Sequence, residues 1–350
     1  MDRGTTLGAE RIRQAEDESP KLRARDLADK LGISEAALVA ARCGEGTLRI
    51  DPHPDGIMAA VARMGEVMAL TRNDHCVHEK VGRYEDYRLG DHAAMVLGPE
   101  IDLRIFPSHW RHAFAVERPG EDGPRRSVQV FDAAGDAVHK IHLRAGSEEG
   151  GWEAALALVH ADQSPGLAAE PRPAPDAPRA DPARAETLRA EWARMTDTHQ
   201  FMRLTGKLKM NRLGAYRIAG APLARPLAPD VAPRLLEAVR DAGIGVMVFV
   251  GNRGCIQIHS GPIGTVTPMG PWQNVMDPRF NLHLRADRVA EVWAVDKPTK
   301  RGGALSVEMF AADGTLVAQV FGMGAEGRDD RPAFRALVDA LPAPAEGAPA

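Results

Sequence analysis

The sequence contains an internal duplication, in which one unit occurs twice. Shifting the 350-residue chain by 179 positions, without a gap, places many identical residues on each other between Val67 and Val159 and their counterparts. The coincident pairs include Val67 with Val246, Asn73 with Asn252, Cys76 with Cys255, Gly82 with Gly261, Pro99 with Pro278, Phe131 with Phe310 and Gly135 with Gly314. Matches at one offset over this length indicate an internal duplication, which predicts two similar structural units.

The segment between the copies has a different composition. Residues 163–185 are rich in Pro, Ala and charge and have no apolar period, so they predict a partly extended linker. We therefore expect an N-terminal repeat over 1–162 and a C-terminal repeat over 186–340, followed by a disordered tail at 341–350. At 44% hydrophobic residues, the chain is long enough for two cores.

Within each copy, a helical opening precedes β-rich runs. In the second copy, the strand-like segments are 246–262 around an Asn-Arg-Gly turn, 290–298, 304–314 and 315–324. Helices are expected at 187–195, at 199–208 and at 332–341. Gly314, and Gly135 in the first copy, favour tight turns because glycine accepts positive φ. The pattern predicts an α+β fold of two tandem repeats, each a large antiparallel β-sheet with flanking helices.

Composition excludes several classes of partner. A formal net charge of −4 gives no overall positive field for nucleic acid or anionic lipid. The N-terminus has no apolar signal region, and no stretch is long enough to span a membrane. Cys43, Cys76 and Cys255 form no CxxC pair, which favours a reducing compartment. We expect a soluble cytoplasmic protein with no nucleic-acid partner and no membrane insertion.

One helical segment superficially resembles a DNA-binding helix-turn-helix. It covers 23–44, and a shift of 177 pairs its Leu31 with Leu208 and its Ser34 with Asn211. Because the second copy has the same arrangement, a duplicated structural helix pair explains both segments.

His199 lies in the most informative segment, Met-Thr-Asp-Thr-His-Gln-Phe-Met. Asp197 is a good N-cap and Gln200 follows three residues later, so we expect His199 in the first turn of a helix. The positive potential there disfavours imidazolium and leaves a neutral ring that can ligate a metal. The alternative is a surface or capping histidine.

Two histidine pairs are poor candidates for a shared metal. His139 and His142 lie three apart in an expected strand and so face opposite sides. His109 and His112 are spaced to share a helical face, but no acidic or cysteine ligand completes a set.

A third pair flanks a cysteine and suggests a zinc alternative. His75 and His78 lie on either side of Cys76. Since Cys76 has a repeat partner in Cys255 while neither histidine has one, a buried structural cysteine is the favoured interpretation.

The duplication did not preserve every residue. His199 aligns with Leu22, and Arg104 aligns with His283, so each occurs once. A site that uses both would exist once, at the junction of the two halves.

Several long segments resemble one family, the bacterial cytoplasmic haem-utilisation (haemin-degrading) proteins of the HemS/HmuS/ChuS type. The matching stretches are WARMTDTHQFMRL, LGAYRIAGAPLARPL, VFVGNRGCIQIHSGPI, MGPWQNVMDPRFNLHLR and AEVWAVDKPT in the second copy, and TRNDHCVHEKVGRY and EIDLRIFPSHW in the first. The resemblance covers essentially the whole chain apart from the linker and the tail.

The resemblance implies a haem (iron protoporphyrin IX) site. The histidine of the T-D-T-H-Q-F motif, His199, is then the proximal iron ligand, and Arg104 of the D-L-R-x-F motif is the distal residue. The haem-contacting positions are expected to be His199, Arg104, Phe106, Arg212, Lys297, Gln319 and Phe321. Arg212 and Lys297 resemble the bases that meet the propionates, where they would neutralise carboxylates that are costly to bury unpaired.

The chain departs from the family near residue 321. Relatives commonly have a tyrosine and, three residues later, a base, whereas this chain has Phe321 and Gly324. Phe321 keeps the ring and loses the hydroxyl, and Gly324 removes the cation. Haem binding remains the expectation, but the departure puts equal catalytic activity in doubt.

The family resemblance implies an enzyme that degrades haem to release iron, using oxygen or peroxide and a reductant, with His199 and Arg104 as catalytic residues. The alternative is a haem chaperone or storage protein that passes haem to a separate haem oxygenase. A third reading is a structural protein without a cofactor. Expected partners are an inner-membrane haem importer and a haem oxygenase or reductase.

Overall fold

A computed structural model describes residues 7–300, 302–325 and 327–345. The chain forms two compact units. Unit 1 comprises the described residues up to Arg72, His78–Pro173 and Gly251–Gln257. Unit 2 comprises Asn73–Val77, Ala174–Val250 and the described residues from Ile258 onward. Each unit therefore includes one short segment from the opposite half of the sequence.

The first half of the chain contributes five helices and nine strands among the described residues. The helices are α1 Ala9–Asp17, α2 Ala24–Leu31, α3 Glu35–Ala40, α4 Pro54–Val61 and α5 Glu149–Leu156. The strands are β1 Thr47–Ile50, β2 Val67–Arg72, β3 Cys76–Gly82, β4 Tyr87–Arg88, β5 Ala94–Leu97, β6 Asp102–Ile105, β7 His112–Arg118, β8 Arg125–Phe131 and β9 Ala137–Leu143. A 3₁₀ turn covers Pro107–His109.

The second half contributes five helices and eleven strands among the described residues. The helices are α6 Ala185–Ala193, α7 Gln200–Lys207, α8 Arg212–Ala219, α9 Val231–Ala242 and α10 Arg331–Asp339. The strands are β10 Ala224–Leu227, β11 Val246–Gly251, β12 Cys255–Gly261, β13 Val266–Met269, β14 Trp272–Asp277, β15 Phe280–Arg285, β16 Glu291–Thr299, β17 Gly302–Phe310, β18 Leu316–Gly322, β19 Gly324–Ala325 and β20 Arg328–Asp329. Further 3₁₀ turns cover Pro182–Arg184 and Ala286–Arg288.

The two units share strand order and register. Unit 1 has the antiparallel run β1-β7-β8-β9-β2, and unit 2 has β10-β16-β17-β18-β11. Val128 pairs with Ile141 in unit 1, and their counterparts Val307 and Val320 pair in unit 2. Both units also break register at the same repeat position, after Val130 in unit 1. The predicted α+β tandem repeat is confirmed.

A smaller antiparallel run completes each unit. It is β6-β5-β4 in unit 1 and β15-β14-β13 in unit 2. Helices cover both faces of each long run. In unit 1, α4 and α5 pack on one face and α3 packs on the other. In unit 2, α9 and α10 pack on one face, and α6, α7 and α8 cover the other through an aromatic cluster.

An asparagine organises the same turn in both repeats. Asn73 Oδ1 accepts the backbone N–H groups of His75 and Cys76, and its Nδ2 donates to the Val317 carbonyl at 2.8 Å. Asn252 makes the equivalent contacts and donates to the Val138 carbonyl at 2.9 Å. Each amide thus closes its turn and anchors the segment that its unit receives from the other half of the sequence.

The linker is held by hydrogen bonds. The Gln163 amide donates to the Arg49 carbonyl at 2.8 Å, and the Arg49 guanidinium donates to carbonyls at 164 and 166. Further along, the Asn211 N–H donates to the Arg179 carbonyl at 3.0 Å. Residues 161–181 form no helix or strand, and the last residues of the predicted linker form the 3₁₀ turn Pro182–Arg184 and the start of α6 at Ala185.

The predicted C-terminal tail begins with hydrogen-bonded residues. The carbonyls of Leu341 and Pro342 accept bonds from Arg225 and from the Ala228 N–H. Residues 346–350 of that tail lie outside the described residues.

One local prediction is wrong. His109 ends the 3₁₀ turn and His112 begins β7, so the two do not share a helical face. The turn starts at Pro107, whose ring fixes φ, and the β-rich run from 112 onward pairs with β8. Elsewhere, no helix among the described residues has the length and apolar character needed to cross a bilayer.

Candidate functional site

His199 lies immediately before a helix rather than inside its first turn. Helix α7 begins at Gln200. The Asp197 carboxylate accepts the His199 backbone N–H, and the Gln200 side chain accepts the Thr196 N–H at 2.9 Å. The predicted Asp197–Gln200 capping pair is therefore wrong, because neither side chain accepts the backbone N–H of the other residue.

The imidazole of His199 is anchored through its Nδ1 atom. Its Nδ1 lies 2.7 Å from Asp197 Oδ1, and 93% of the His199 side chain is exposed. The hydrogen bonds from His199, with the positive charge of Lys300, hold the pKa of Asp197 below its usual value. A neutral ring that donates from Nδ1 keeps its lone pair on Nε2, which is the atom available to a metal.

The residues after His199 fix α7 in unit 2. Phe201 is buried, and its ring lies 4.5 Å from Trp192 and 5.5 Å from Tyr216, measured between centroids. Aromatic pairs at these separations add to the stabilisation from burial. The exposed His199 is thus attached to a well-packed helix start.

A buried charge cluster lies beneath α7 and α8. We call Arg212, Tyr216, Lys297 and Glu308 the unit 2 charge cluster. Glu308 is fully buried and accepts hydrogen bonds from Lys297 Nζ at 2.6 Å, from Arg212 Nη1 at 2.9 Å and from the Tyr216 hydroxyl at 2.9 Å. Burial alone would raise the pKa of Glu308, but Lys297 and Arg212 outweigh it and hold the pKa at about 2.

The cluster constrains the two bases expected at the propionates. Lys297 is 4% exposed and bonds both Glu308 and the Tyr216 hydroxyl. Burial lowers the pKa of Lys297, although Glu308 opposes the shift. Arg212 keeps an exposed edge, where Nη2 lies 3.6 Å from Met202 Sδ. Arg212 can bind a ligand carboxylate without rearrangement, whereas Lys297 would first have to weaken its hydrogen bond to Glu308. Both roles stay predictions.

Gln319 and Phe321 lie on the same sheet face as the cluster. Gln319 of β18 pairs with Glu308 of β17, and Phe321 pairs with Ser306. Both side chains are half-buried. The Phe321 ring lies 5.1 Å from that of Phe249, which gives this face an aromatic pair. The structure therefore places Gln319 and Phe321 on the face of the sheet that carries Glu308.

The space beside Gly324 is filled by another side chain. A Cβ at Gly324 would lie 2.7 Å from Arg331 Nε. Arg331 makes two hydrogen bonds to the Asp329 carboxylate, at 2.7 and 2.8 Å. The cation beside this position is thus paired with a carboxylate of its own.

The remaining candidates belong to unit 1. Arg104, on β6, pairs with Asp102 and donates to the Leu103 carbonyl at 3.0 Å, and about a third of its side chain is exposed. The Phe106 N–H donates to the Gly254 carbonyl at 3.0 Å at the start of the 3₁₀ turn. Their haem contacts stay predictions.

Sequence reasoning did not identify Tyr216 or Glu308. A signal was present for each: Tyr216 follows Arg212 by four residues on one helix, which places the pair on a shared face. Glu308 is a lone carboxylate inside the apolar run LSVEMF of β17. A charge at a buried strand position requires partners.

No group of three or more His, Cys, Asp or Glu side chains converges on a metal position among the residues that the structure describes.

The chain matches one family in both repeats. The model of the haemin-degrading HemS.ChuX domain matches residues 32–158 and 209–341. The hemin transport protein HmuS of Yersinia pestis is 41% identical over 331 residues, which cover 94% of this chain and 95% of HmuS.

Solved structures agree in fold over nearly the whole chain. The haem-bound form of PhuS, a heme-binding protein from Pseudomonas aeruginosa, is 39% identical with a TM-score of 0.90, covering 96% of this chain and 98% of PhuS. ChuS, described as an Escherichia coli heme oxygenase, is 32% identical with a TM-score of 0.83, covering 97% of this chain and 99% of ChuS. The chain therefore belongs to the HemS/ChuX family of haemin-degrading domain proteins, with two copies of that domain.

Proposed function

We propose that this protein binds haem for haem-iron utilisation and that His199 is the iron ligand. The observation that carries the proposal is the exposed imidazole with Nδ1 bonded to Asp197, which leaves Nε2 to donate to iron. A histidine of this kind is a typical protein ligand of haem iron.

The other candidate residues have the chemistry that a haem group requires. The half-buried rings of Phe249 and Phe321 provide an apolar surface, and Gln319 adds a polar group beside it. The exposed edge of Arg212 suits a propionate, since a guanidinium binds carboxylates bidentately. Arg104 is proposed as the distal residue, because its guanidinium can donate hydrogen bonds to a haem ligand but cannot itself bind iron.

We place haem degradation first among the finer functions. Bound haem would supply an iron centre that accepts oxygen or peroxide, with a reductant as electron source. The description of ChuS as a heme oxygenase supports this choice. Iron release in the cytoplasm, and partnership with a haem importer or a reductase, belong to the same proposal.

A haem carrier is the second candidate. Phe321 lacks the hydroxyl of the family's usual tyrosine, and the cation beside Gly324 is paired with Asp329. Both features reduce the polar groups available for oxygen chemistry. In this reading, the protein passes haem to a separate haem oxygenase.

Haem binding is tested by titrating the purified protein with haemin and following the Soret band. His199→Ala should weaken binding and change the spectrum. His53→Ala is a matched control, since His53 also follows an aspartate by two residues and is exposed. Equal spectra and equal Kd for His199→Ala and the unaltered protein would refute the assignment of His199.

Degradation is tested by mixing the haem complex with ascorbate in the presence of catalase. A linear tetrapyrrole and free iron support the enzyme, whereas an unchanged Soret band supports the carrier. Arg104→Ala should slow the reaction more than it weakens binding. Arg88→Ala is the control, because Arg88 likewise pairs with the aspartate two residues before it, at 2.7 Å.

A further inference from the structure

We propose that Asp197 is a positioning residue that fixes the tautomer of His199 and strengthens its donation to iron. This inference rests on the proposed function, because it assigns a role toward the same ligand. It adds a residue outside the set expected to contact haem.

The geometry distinguishes two Asp-x-His turns in this chain. In both, the aspartate Oδ1 accepts the backbone N–H of the histidine, at 2.7 Å for Asp197 and 2.8 Å for Asp51. The rings then differ. His199 turns Nδ1 back onto the carboxylate at 2.7 Å, whereas His53 Nδ1 accepts the Asp55 N–H at 3.3 Å. The same local pattern therefore predicts opposite neutral tautomers, with the proton on Nδ1 in His199 and on Nε2 in His53.

The consequence for a metal follows from where the lone pair lies. In His199, the carboxylate holds the Nδ1 proton, so the lone pair is on the exposed Nε2. A carboxylate that accepts the second N–H also makes the imidazole a stronger donor. Stronger donation favours ferric over ferrous iron, because the higher charge gains more from it. The carboxylate of Asp197 also accepts the His199 backbone N–H, and this second hydrogen bond holds it beside the ring.

The first test needs no haem. In the unloaded ¹⁵N-labelled protein at alkaline pH, long-range ¹⁵N–¹H spectra should show the Nδ1–H tautomer for His199 and the Nε2–H tautomer for His53. Asp197→Ala should shift His199 toward Nε2–H and leave His53 unchanged. A His199 ring that is already Nε2–H, or one that Asp197→Ala leaves unchanged, would overturn the proposal.

The second test measures ligand strength. Asp197→Ala should weaken ferric haem binding about 10-fold, at the lower end of the range for lost outer-shell carboxylates. Asp197→Asn, which can still accept a hydrogen bond but carries no charge, should lie between. Asp51→Ala is the matched control and should bind as the unaltered protein does. The Fe–His stretching frequency of the ferrous complex should fall in Asp197→Ala.

The two proposals fail separately. If His199→Ala binds haem normally, the ligand assignment falls while the tautomer measurement still stands. If His199→Ala abolishes binding but Asp197→Ala changes neither tautomer nor Kd, the role of Asp197 is wrong and haem ligation by His199 remains.

Discussion

Each unit buries a cluster of charged side chains between a helix and the sheet, but the helix supplies a charge of opposite sign in the two units. In unit 1, the helix α3 supplies a buried carboxylate, Glu35, which bonds Lys140 at 2.5 Å and also bonds Arg72. We call these three residues the unit 1 charge cluster. In unit 2, the helix α8 supplies a cation, Arg212, and the sheet supplies the carboxylate Glu308. Under the shift of 177 residues that aligns the opening helices, Arg212 falls at the position of Glu35.

Duplication has therefore conserved charge balance rather than residue identity. Each cluster holds one buried carboxylate between two cations, and in each the pKa of the carboxylate is about 2 because the cations outweigh the effect of burial. Of the two clusters, only the one in unit 2 takes a cation from a helix. That cation, Arg212, is partly exposed. This exposed edge of Arg212 is the group that we propose for a ligand carboxylate.

The largest expected effect comes from removing the carboxylate of unit 2. Glu308→Gln leaves buried Lys297, and Arg212 beside it, without a counter-charge, so we expect a loss of about 4 kcal/mol in the free energy of unfolding. Urea unfolding at pH 7 measures it. Glu35→Gln should cost less, because Glu35 and Lys140 are each more exposed than their unit 2 counterparts, Glu308 and Lys297. Equal losses in the two variants would show that the clusters are equivalent after all.

A smaller effect separates the units by pH. Burial, then the nearby Lys140 charge, lowers the pKa of His142 to about 4, while its repeat counterpart is Phe321, which does not titrate. The unfolded histidine takes up a proton below about pH 6.5, so stability falls with pH until the folded group also protonates near pH 4. This amounts to about 2 kcal/mol between pH 7 and pH 5.

The measurement compares urea unfolding of the unaltered protein and of His142→Phe at those two pH values. We expect the variant to lose about 2 kcal/mol less on acidification. An identical pH dependence in the two proteins would mean that His142 is not buried in its neutral form.

The smallest expected effect comes from one hydroxyl. Tyr216→Phe removes the bond to Glu308 and the acceptor for Lys297 but leaves the ion pair, so we expect a loss of about 1 kcal/mol. Thermal unfolding detects a change of this size. A loss as large as that of Glu308→Gln would place the hydroxyl, rather than the carboxylate, at the centre of the cluster.

The repeat made most of the fold predictable. The offset of 179 residues predicted two similar units, which the structure shows in the matching Asn73 and Asn252 turns and in the positive φ of both Gly135 and Gly314. These features depend on backbone geometry and on residue types that specify it locally. The exchange of 73–77 and 251–257 could not be predicted, because pairing between distant segments leaves no local signal.

The candidate site was predictable only in part. His199 was found because it is singular and lies in a long motif, but its exact position depended on which backbone N–H each side chain bonds. The burial of Lys297 was missed, since the sequence of its strand does not show that Glu308, on the neighbouring strand β17, accepts its hydrogen bond. Long-range charge pairing is the part of the site that composition and spacing do not encode.

The exchanged segments have a consequence for how this chain can be divided. Unit 1 needs Gly251–Gln257, where Gln257 accepts a hydrogen bond from buried Thr71 at 2.9 Å, although these residues are encoded after the linker. A cut in the linker would therefore yield two fragments that each lack a piece of their own core. A chain with a single copy of the repeat could complete its fold only by borrowing that piece from a second molecule, as domain-swapped dimers do.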